Sequence, residues 1–127
     1  MPNDFKKVML IDDNEIDLKI NSKIISLANL FDEIILCQSG EEGLDYLTKY
    51  INQPEKLPDF ILLDIQMPEM DGFEFLEEYK QLPTKCPVAM LSSTLDFGDI
   101  KRAEANAYVV KLLKKPLLPA ELVALLM

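Results

Sequence analysis

Phe60-Ile61-Leu62-Leu63-Asp64-Ile65-Gln66-Met67-Pro68-Glu69-Met70-Asp71-Gly72 is the stretch whose reading decides the fold. Four apolar residues run directly into a carboxylate, and Met67-Pro68 and then Asp71-Gly72 follow. A short continuous apolar run bounded by breakers reads as a strand covered on both faces. Asp64 then closes that strand at its carboxyl end. In open α/β sheets this is the edge where ligands and chemistry collect.

Working outward, the same grammar recurs. Upstream, the polar loop Asn52 to Pro58 carries two prolines and separates this strand from a helical pattern over Leu44, Leu47 and Ile51. Ser39-Gly40-Glu41-Glu42 before that pattern has the S-x-x-E form of a capping box. Glu33 to Gln38 is a further strand, and Ile16, Ile20, Ile24 and Leu27 recur at the spacing of a helix that Asn14 can cap, with Asp17 in its first turn. Lys7-Val8-Met9-Leu10-Ile11 is the first strand and runs into Asp12-Asp13.

Downstream, Asp71-Gly72-Phe73-Glu74 repeats the cap-plus-glutamate pattern ahead of Phe75, Leu76 and Tyr79. Pro87 to Ser92 is the fourth strand. A helix that carries Ile100, Ala103 and Ala107 is expected from about Asp96 to Ala107, its first turn weakened by Gly98. Tyr108 to Leu113 reads as the fifth strand, followed by Lys114-Lys115-Pro116. Pro119 suits the first position of a short last helix whose Leu122, Leu125 and Leu126 pack inward. Five strands alternating with five helices predict an α/β fold, a parallel sheet with helices on both faces and right-handed crossovers. No repeat, low-complexity tract or internal linker interrupts residues 1–127, which read as one domain.

Bulk properties narrow the function. The composition is that of a soluble globular chain, and no apolar run approaches the roughly 20 residues of a membrane helix. Met1 to Lys7 has no apolar stretch before a small-residue cleavage site, so no secretory signal is read and a cytoplasmic location is expected. Cys37 and Cys86 have no metal-ligand neighbours and read as buried thiols. The absence of histidine removes His-based catalysis, His metal ligands and phosphohistidine. A formal net charge of −9 argues against direct contact with nucleic acid.

The strand ends carry the chemistry. Asp12 and Asp13 end the first strand, Asp64 the third, Ser92 and Ser93 the fourth, and Lys115 follows the fifth. All converge on one edge of the sheet. Carboxylates held close repel, which raises their pKa values unless a cation offsets the charge. A hard divalent ion with oxygen ligands answers that need, and Mg²⁺ binds through one or two carboxylates while keeping several waters. Without His or paired Cys, zinc does not suit the site. An Asp carboxylate beside Mg²⁺ and a lysine can act as nucleophile toward a phosphoryl group, and a hydroxyl can bond a phosphoryl oxygen. Taken singly, each motif has a plain structural reading: Asp12-Asp13-Asn14 a helix start, Asp64 a loop cap, Ser92-Ser93 a loop, Lys115-Pro116 a turn. Complementary charges delivered to one edge by separate strands are seldom a coincidence.

These residues resemble a response-regulator receiver domain of two-component signal transduction, CheY-like. The resemblance covers nearly the whole chain and rests on Asp12-Asp13, on Asp64 with Met67-Pro68 and Asp71-Gly72, on Ser92, and on Lys115-Pro116. It implies a flavodoxin-like fold with strand order 2-1-3-4-5. It implies phosphorylation of Asp64 by a sensor histidine kinase or phosphotransfer protein, with an output through a downstream protein rather than as an enzyme. Asp12 or Asp13 and Asp64 would bind Mg²⁺ with the main-chain carbonyl of Gln66, Ser92 would bond the phosphoryl group, and Lys115 would pair with it. Positions Gln66 and Thr94 tune dephosphorylation in the family; neither is an acid here, so no strong built-in acceleration is expected.

Two positions depart from the family pattern. Tyr108-Val109-Val110-Lys111 also resembles the family's strand-five ending, so Lys111 is an alternative to Lys115, whose Pro116 and spacing from Ser92 favour it. Counting three residues back from Lys115 gives Leu112 where receivers often carry a switch aromatic. A rival enzyme, a Mg²⁺-dependent aspartyl-phosphate phosphatase or phosphotransferase of haloacid-dehalogenase type, wants a second Asp two residues after the nucleophile, and Gln66 stands there. A flavin-binding flavodoxin needs a hydroxyl- and glycine-rich loop after the first strand, where Asp12-Asp13-Asn14 would repel phosphate. No output domain follows, so a stand-alone or an excised receiver is expected, and the short last helix leans toward some truncation.

Overall fold

The computed structural model describes residues 6–126. Residues 1–5 of the stretch read for a secretory signal, and Met127 at the far end of the expected domain, lie outside them. The chain alternates β1 (Lys7–Ile11), α1 (Glu15–Ala28), β2 (Glu33–Cys37), α2 (Gly40–Lys49), β3 (Phe60–Asp64), α3 (Gly72–Tyr79), β4 (Val88–Ser92), α4 (Phe97–Ala105), β5 (Val109–Lys114) and α5 (Pro119–Leu126). All strand pairs are parallel, in the order β2-β1-β3-β4-β5. β3 and β4 are buried at every position, as their unbroken apolar runs require.

Alternate residues of each strand feed two cores. Met9, Ile11, Ile61, Leu63, Val88 and Met90 meet Leu47 of α2, Phe75, Leu76 and Tyr79 of α3 and Ala103 of α4. Val8, Leu10, Leu62, Ala89, Leu91 and Leu113 meet Leu18 and Ile25 of α1 and Leu122 and Leu126 of α5. Cys37 is buried and Cys86 half-buried, both as free thiols, and burial pushes them up to about 12 and about 11. Among the described residues, no helix is long and apolar enough to cross a membrane.

Four local features differ from the sequence expectation. The α1 stripe is largely out of phase: Leu18, Asn21 and Ile25 are buried and Ile24 packs half-buried beside them, whereas Ile16, Ile20 and Leu27 are 69%, 46% and 74% exposed. The helix is apolar on more than one side, so periodicity could not choose its face. In the packed molecule the face that meets the sheet is the one that also points Asp17 toward Lys115. α4 ends at Ala105, not Ala107, because Asn106 is extended and caps it. β5 carries a bulge: Val88 pairs with Val109 and Ala89 with Lys111, leaving Val110 as the extra residue. The bulge reverses alternation, so Val109 and Leu112 pack on one core while Leu113 packs on the other. At Ser39 only half of the capping box forms. Ser39 Oγ accepts from Glu42 N at 3.0 Å, but the Glu42 carboxylate accepts from Gln38 N instead. The box at Asp71 and Glu74 is complete.

Candidate functional site

Backbone ladders set the site's Cα positions. Asp12 N donates to Cys37 O at 3.1 Å, Ile65 N to Leu91 O at 3.0 Å and Lys115 N to Ser92 O at 2.8 Å, so pairing continues one residue beyond the strand ends. The loop after Asp64 folds back tightly, with Gly72 N donating to Ile65 O at 2.8 Å. A Cβ at Gly72 would lie 2.6 Å from the Asp64 carbonyl oxygen and 2.9 Å from Met90 Cε, so only glycine fits there. Glu69 in this loop has a left-handed φ of 69°.

These constraints gather Asp12, Asp13 and Asp64, each offering a carboxylate oxygen within 4.8 Å of the others. Asp12 and Asp64 are buried and Asp13 is exposed. Asp12 Oδ1 accepts from Asn14 N at 2.9 Å, which turns Oδ2 into the site. That Oδ2 has no aligned hydrogen bond, although Lys115 Nζ stands 2.9 Å away as an ion pair. Among the described residues the Gln66 carbonyl accepts no hydrogen bond either. An orphaned buried carboxylate oxygen and two neighbouring carboxylates suit a hard divalent cation such as Mg²⁺.

Lys115 Nζ also lies 3.2 Å from Asp64 Oδ1. Lys111 is exposed on β5 and lines a hollow with Leu95, Ile100 and Leu112, away from the carboxylates. Burial, and then the Asp12 charge, raise the Asp64 carboxyl to about 7, against the opposing pull of Lys115. Burial also disfavours the Lys115 ammonium, but Asp12, Asp64 and Asp17 outweigh it and hold the lysine well above its ordinary range. Ser92 is fully buried and its hydroxyl donates to the Thr94 carbonyl and accepts from Thr94 N at 3.2 Å. Ser93 Oγ and Gln66 Oε1 approach to 3.5 Å at the rim. Leu112 is half-buried against the core that contains Met90 and Ala103.

Sequence reasoning missed one member. Asp17 Oδ2 accepts from Lys115 Nζ at 3.1 Å. Its signal was its place in the first turn after the Asp12-Asp13 strand end, where a cap-supporting acid is so ordinary that it drew no attention.

The strand order and the acidic cluster at one edge of the sheet define a flavodoxin-like fold with a candidate cation site. The family model described as the response regulator receiver domain matches residues 8–127, and the chain belongs to that family. It is 32% identical to the polar-differentiation response regulator DivK of Brucella ovis, over 87% of this chain and 88% of that one. A two-component response regulator from Cytophaga hutchinsonii superposes with a TM-score of 0.88 at 33% identity, covering 95% of this chain and 93% of the other. A protein-glutamate methylesterase/protein-glutamine glutaminase of Trichodesmium erythraeum is 30% identical over 83% of this chain, but the chain spans only 30% of that protein's length. The matches give the haloacid-dehalogenase alternative no support. Receiver domains are typically regulatory, bind Mg²⁺ at an acidic pocket and interact with a histidine kinase or phosphotransfer partner.

Proposed function

We propose that Asp64 is the phosphoryl acceptor of a single receiver domain spanning residues 1–127. The observation that carries this is a buried carboxylate 3.2 Å from a lysine ammonium and clustered with two more carboxylates. A carboxylate oxygen of Asp64 attacks the phosphorus of a phosphohistidine on a sensor kinase or phosphotransfer protein. The O–P bond forms as the N–P bond breaks, and the N–P electron pair stays on the ring nitrogen. Neutral imidazole leaves when the other ring nitrogen already carries a proton.

Asp12, Asp13 and Asp64, with the Gln66 main-chain carbonyl, would hold Mg²⁺. Its charge, when bound, offsets that of the transferring oxygens. Lys115 pairs with the phosphoryl group. Ser92 bonds a phosphoryl oxygen once its hydroxyl leaves Thr94. Ile16, Ile20 and Leu27 expose an apolar ridge on α1 beside the site, which supports a protein phosphodonor. The net charge of −9 favours protein over nucleic acid as the direct partner. The domain acts in the cytoplasm as a regulated acceptor, not as an enzyme, and regulates a downstream protein by changing its surface.

Incubation with Mg²⁺ and acetyl phosphate, read by intact mass, tests this reading. One phosphoryl adduct, absent in Asp64→Asn, is the expected outcome. An adduct that persists in that variant sinks it.

A further inference from the structure

Three carboxylates surround the Lys115 ammonium, and they do not share it equally. Asp12 Oδ2 stands at 2.9 Å, Asp17 Oδ2 at 3.1 Å and Asp64 Oδ1 at 3.2 Å. Only the Asp17 oxygen accepts an aligned hydrogen bond from Nζ. Asp17 reaches the lysine from the open side: its side chain is 37% exposed, against 0% for Asp12 and 4% for Asp64. It lines a cavity of about 230 Å³ with Ile20, Asn21, Ser93, Lys115 and Pro116. Helix capping does not demand this contact. Asn14 already caps α1 by accepting from Asp17 N at 3.0 Å, and the Asp17 carboxylate is left free to bond a residue 98 positions away.

We propose that Asp17 is a positioning residue that holds Lys115 in the unphosphorylated protein and competes with the phosphoryl group for it. The proposal rests on Asp64 being the acceptor. A phosphoryl group there brings about −1.5 to −2 charge and three strong acceptor oxygens within reach of the ammonium. Lys115 stays protonated and turns its aligned bond from Asp17 to a phosphoryl oxygen. No covalent bond or proton moves in this handover. The ammonium has three donors, so the competition is one of position: a phosphoryl group on Asp64 draws Nζ inward, away from Asp17 on the open side, and Asp17 thereby weakens the phosphorylated state relative to the unphosphorylated one. Removing its carboxylate strengthens capture of a phosphoryl group, whereas a purely structural acid in the first turn of a helix leaves capture unchanged.

Beryllium fluoride with Mg²⁺, which builds a phosphoryl mimic on an aspartate carboxylate, is the probe, and its binding to the full chain is titrated by amide NMR. Asp17→Asn should bind roughly three- to tenfold more tightly than the parent, the size of one partly exposed ion pair. Asp17→Glu, which keeps the charge within reach, should return to the parent value. Glu15→Gln removes the same charge from the same turn, at an exposed position, and should change nothing. In the unliganded protein, the Lys115 ¹⁵Nζ resonance should move in Asp17→Asn and stay in Glu15→Gln. Asp17→Asn binding within about twofold of the parent, or more weakly, overturns the proposal, as does an equal gain in Glu15→Gln. Failure of the parent itself to bind beryllium fluoride refutes the acceptor reading and takes this proposal with it. Normal parental binding that Asp17→Asn leaves unchanged refutes the Asp17 proposal alone.

Discussion

Asp64 sits where a carboxylate is costly to ionise. Below pH 3.8 it is protonated in both folded and unfolded chains. Between pH 3.8 and about 7 the folded carboxyl keeps its proton while the unfolded one has lost it, because burial and the Asp12 charge raise it. The stabilisation from that retained proton is present at low pH and is lost as pH rises through about 7. Without divalent ions, Asp64→Asn should therefore be more stable than the parent above pH 7, on the order of 1–3 kcal/mol. The two should converge below pH 3.8, as urea denaturation in the presence of chelator would measure. The lysines make a second contrast. Lys115→Ala strands buried carboxylates and should cost about 2–4 kcal/mol above pH 7, whereas exposed Lys111→Ala should stay within about 0.5 kcal/mol of the parent. Equal losses in the two variants would contradict the geometry. The gathering of Asp12, Asp13, Asp64 and Lys115 was readable because each stands at or just past a strand end, where topology alone brings residues together. Asp17 was not, because its contact with Lys115 depends on which way α1 is rolled.

At the scale of elements, the tight return from β3 into α3 is the most demanding feature. Gly72→Ala would press a methyl group against the Asp64 carbonyl at 2.6 Å. It should destabilise the fold by about 2–4 kcal/mol in thermal or urea unfolding, with backbone shifts at Asp64. Glu69 adopts φ 69°, a region that suits glycine, so Glu69→Gly should stabilise by about 0.5–1 kcal/mol. No gain in that variant would mean that the glutamate side chain stabilises the loop by as much. Capping at Asn14 and Asp71, and the fully buried β3 and β4, were legible because each depends on residues adjacent in sequence. The roll of α1 and the bulge at Val110 were not. A helix with Ile16, Leu18, Ile20, Ile24, Ile25 and Leu27 offers two competing stripes, and only the sheet beneath selects one. An extra residue in β5 leaves no trace in a run of Val and Leu.

For the whole molecule, a stable parallel sheet covered on both faces holds mutually repelling charges at one edge. Mg²⁺ binding there should add stability by mass action, about 2.7 kcal/mol at a hundredfold excess over its dissociation constant. The thermal midpoint above pH 7 should rise with Mg²⁺ and fall back on chelation, and Asp12→Asn should lose most of the response. An undiminished response in that variant would place the ion elsewhere. The β2-β1-β3-β4-β5 order was legible only through the resemblance to receiver domains, since alternation of strands and helices with right-handed crossovers gives a parallel sheet but not its strand order. The route from the site to the rest of the surface was less so, since Leu112 packs into the core as an ordinary apolar residue. The claim at the centre is that phosphate resides on Asp64. Borohydride reduces an acyl phosphate to homoserine, so the protein treated with Mg²⁺ and acetyl phosphate is reduced, digested and read by peptide mass spectrometry. Conversion at residue 64 alone is the predicted result; conversion at Asp12, Asp13 or Asp17, or none at all, would contradict it.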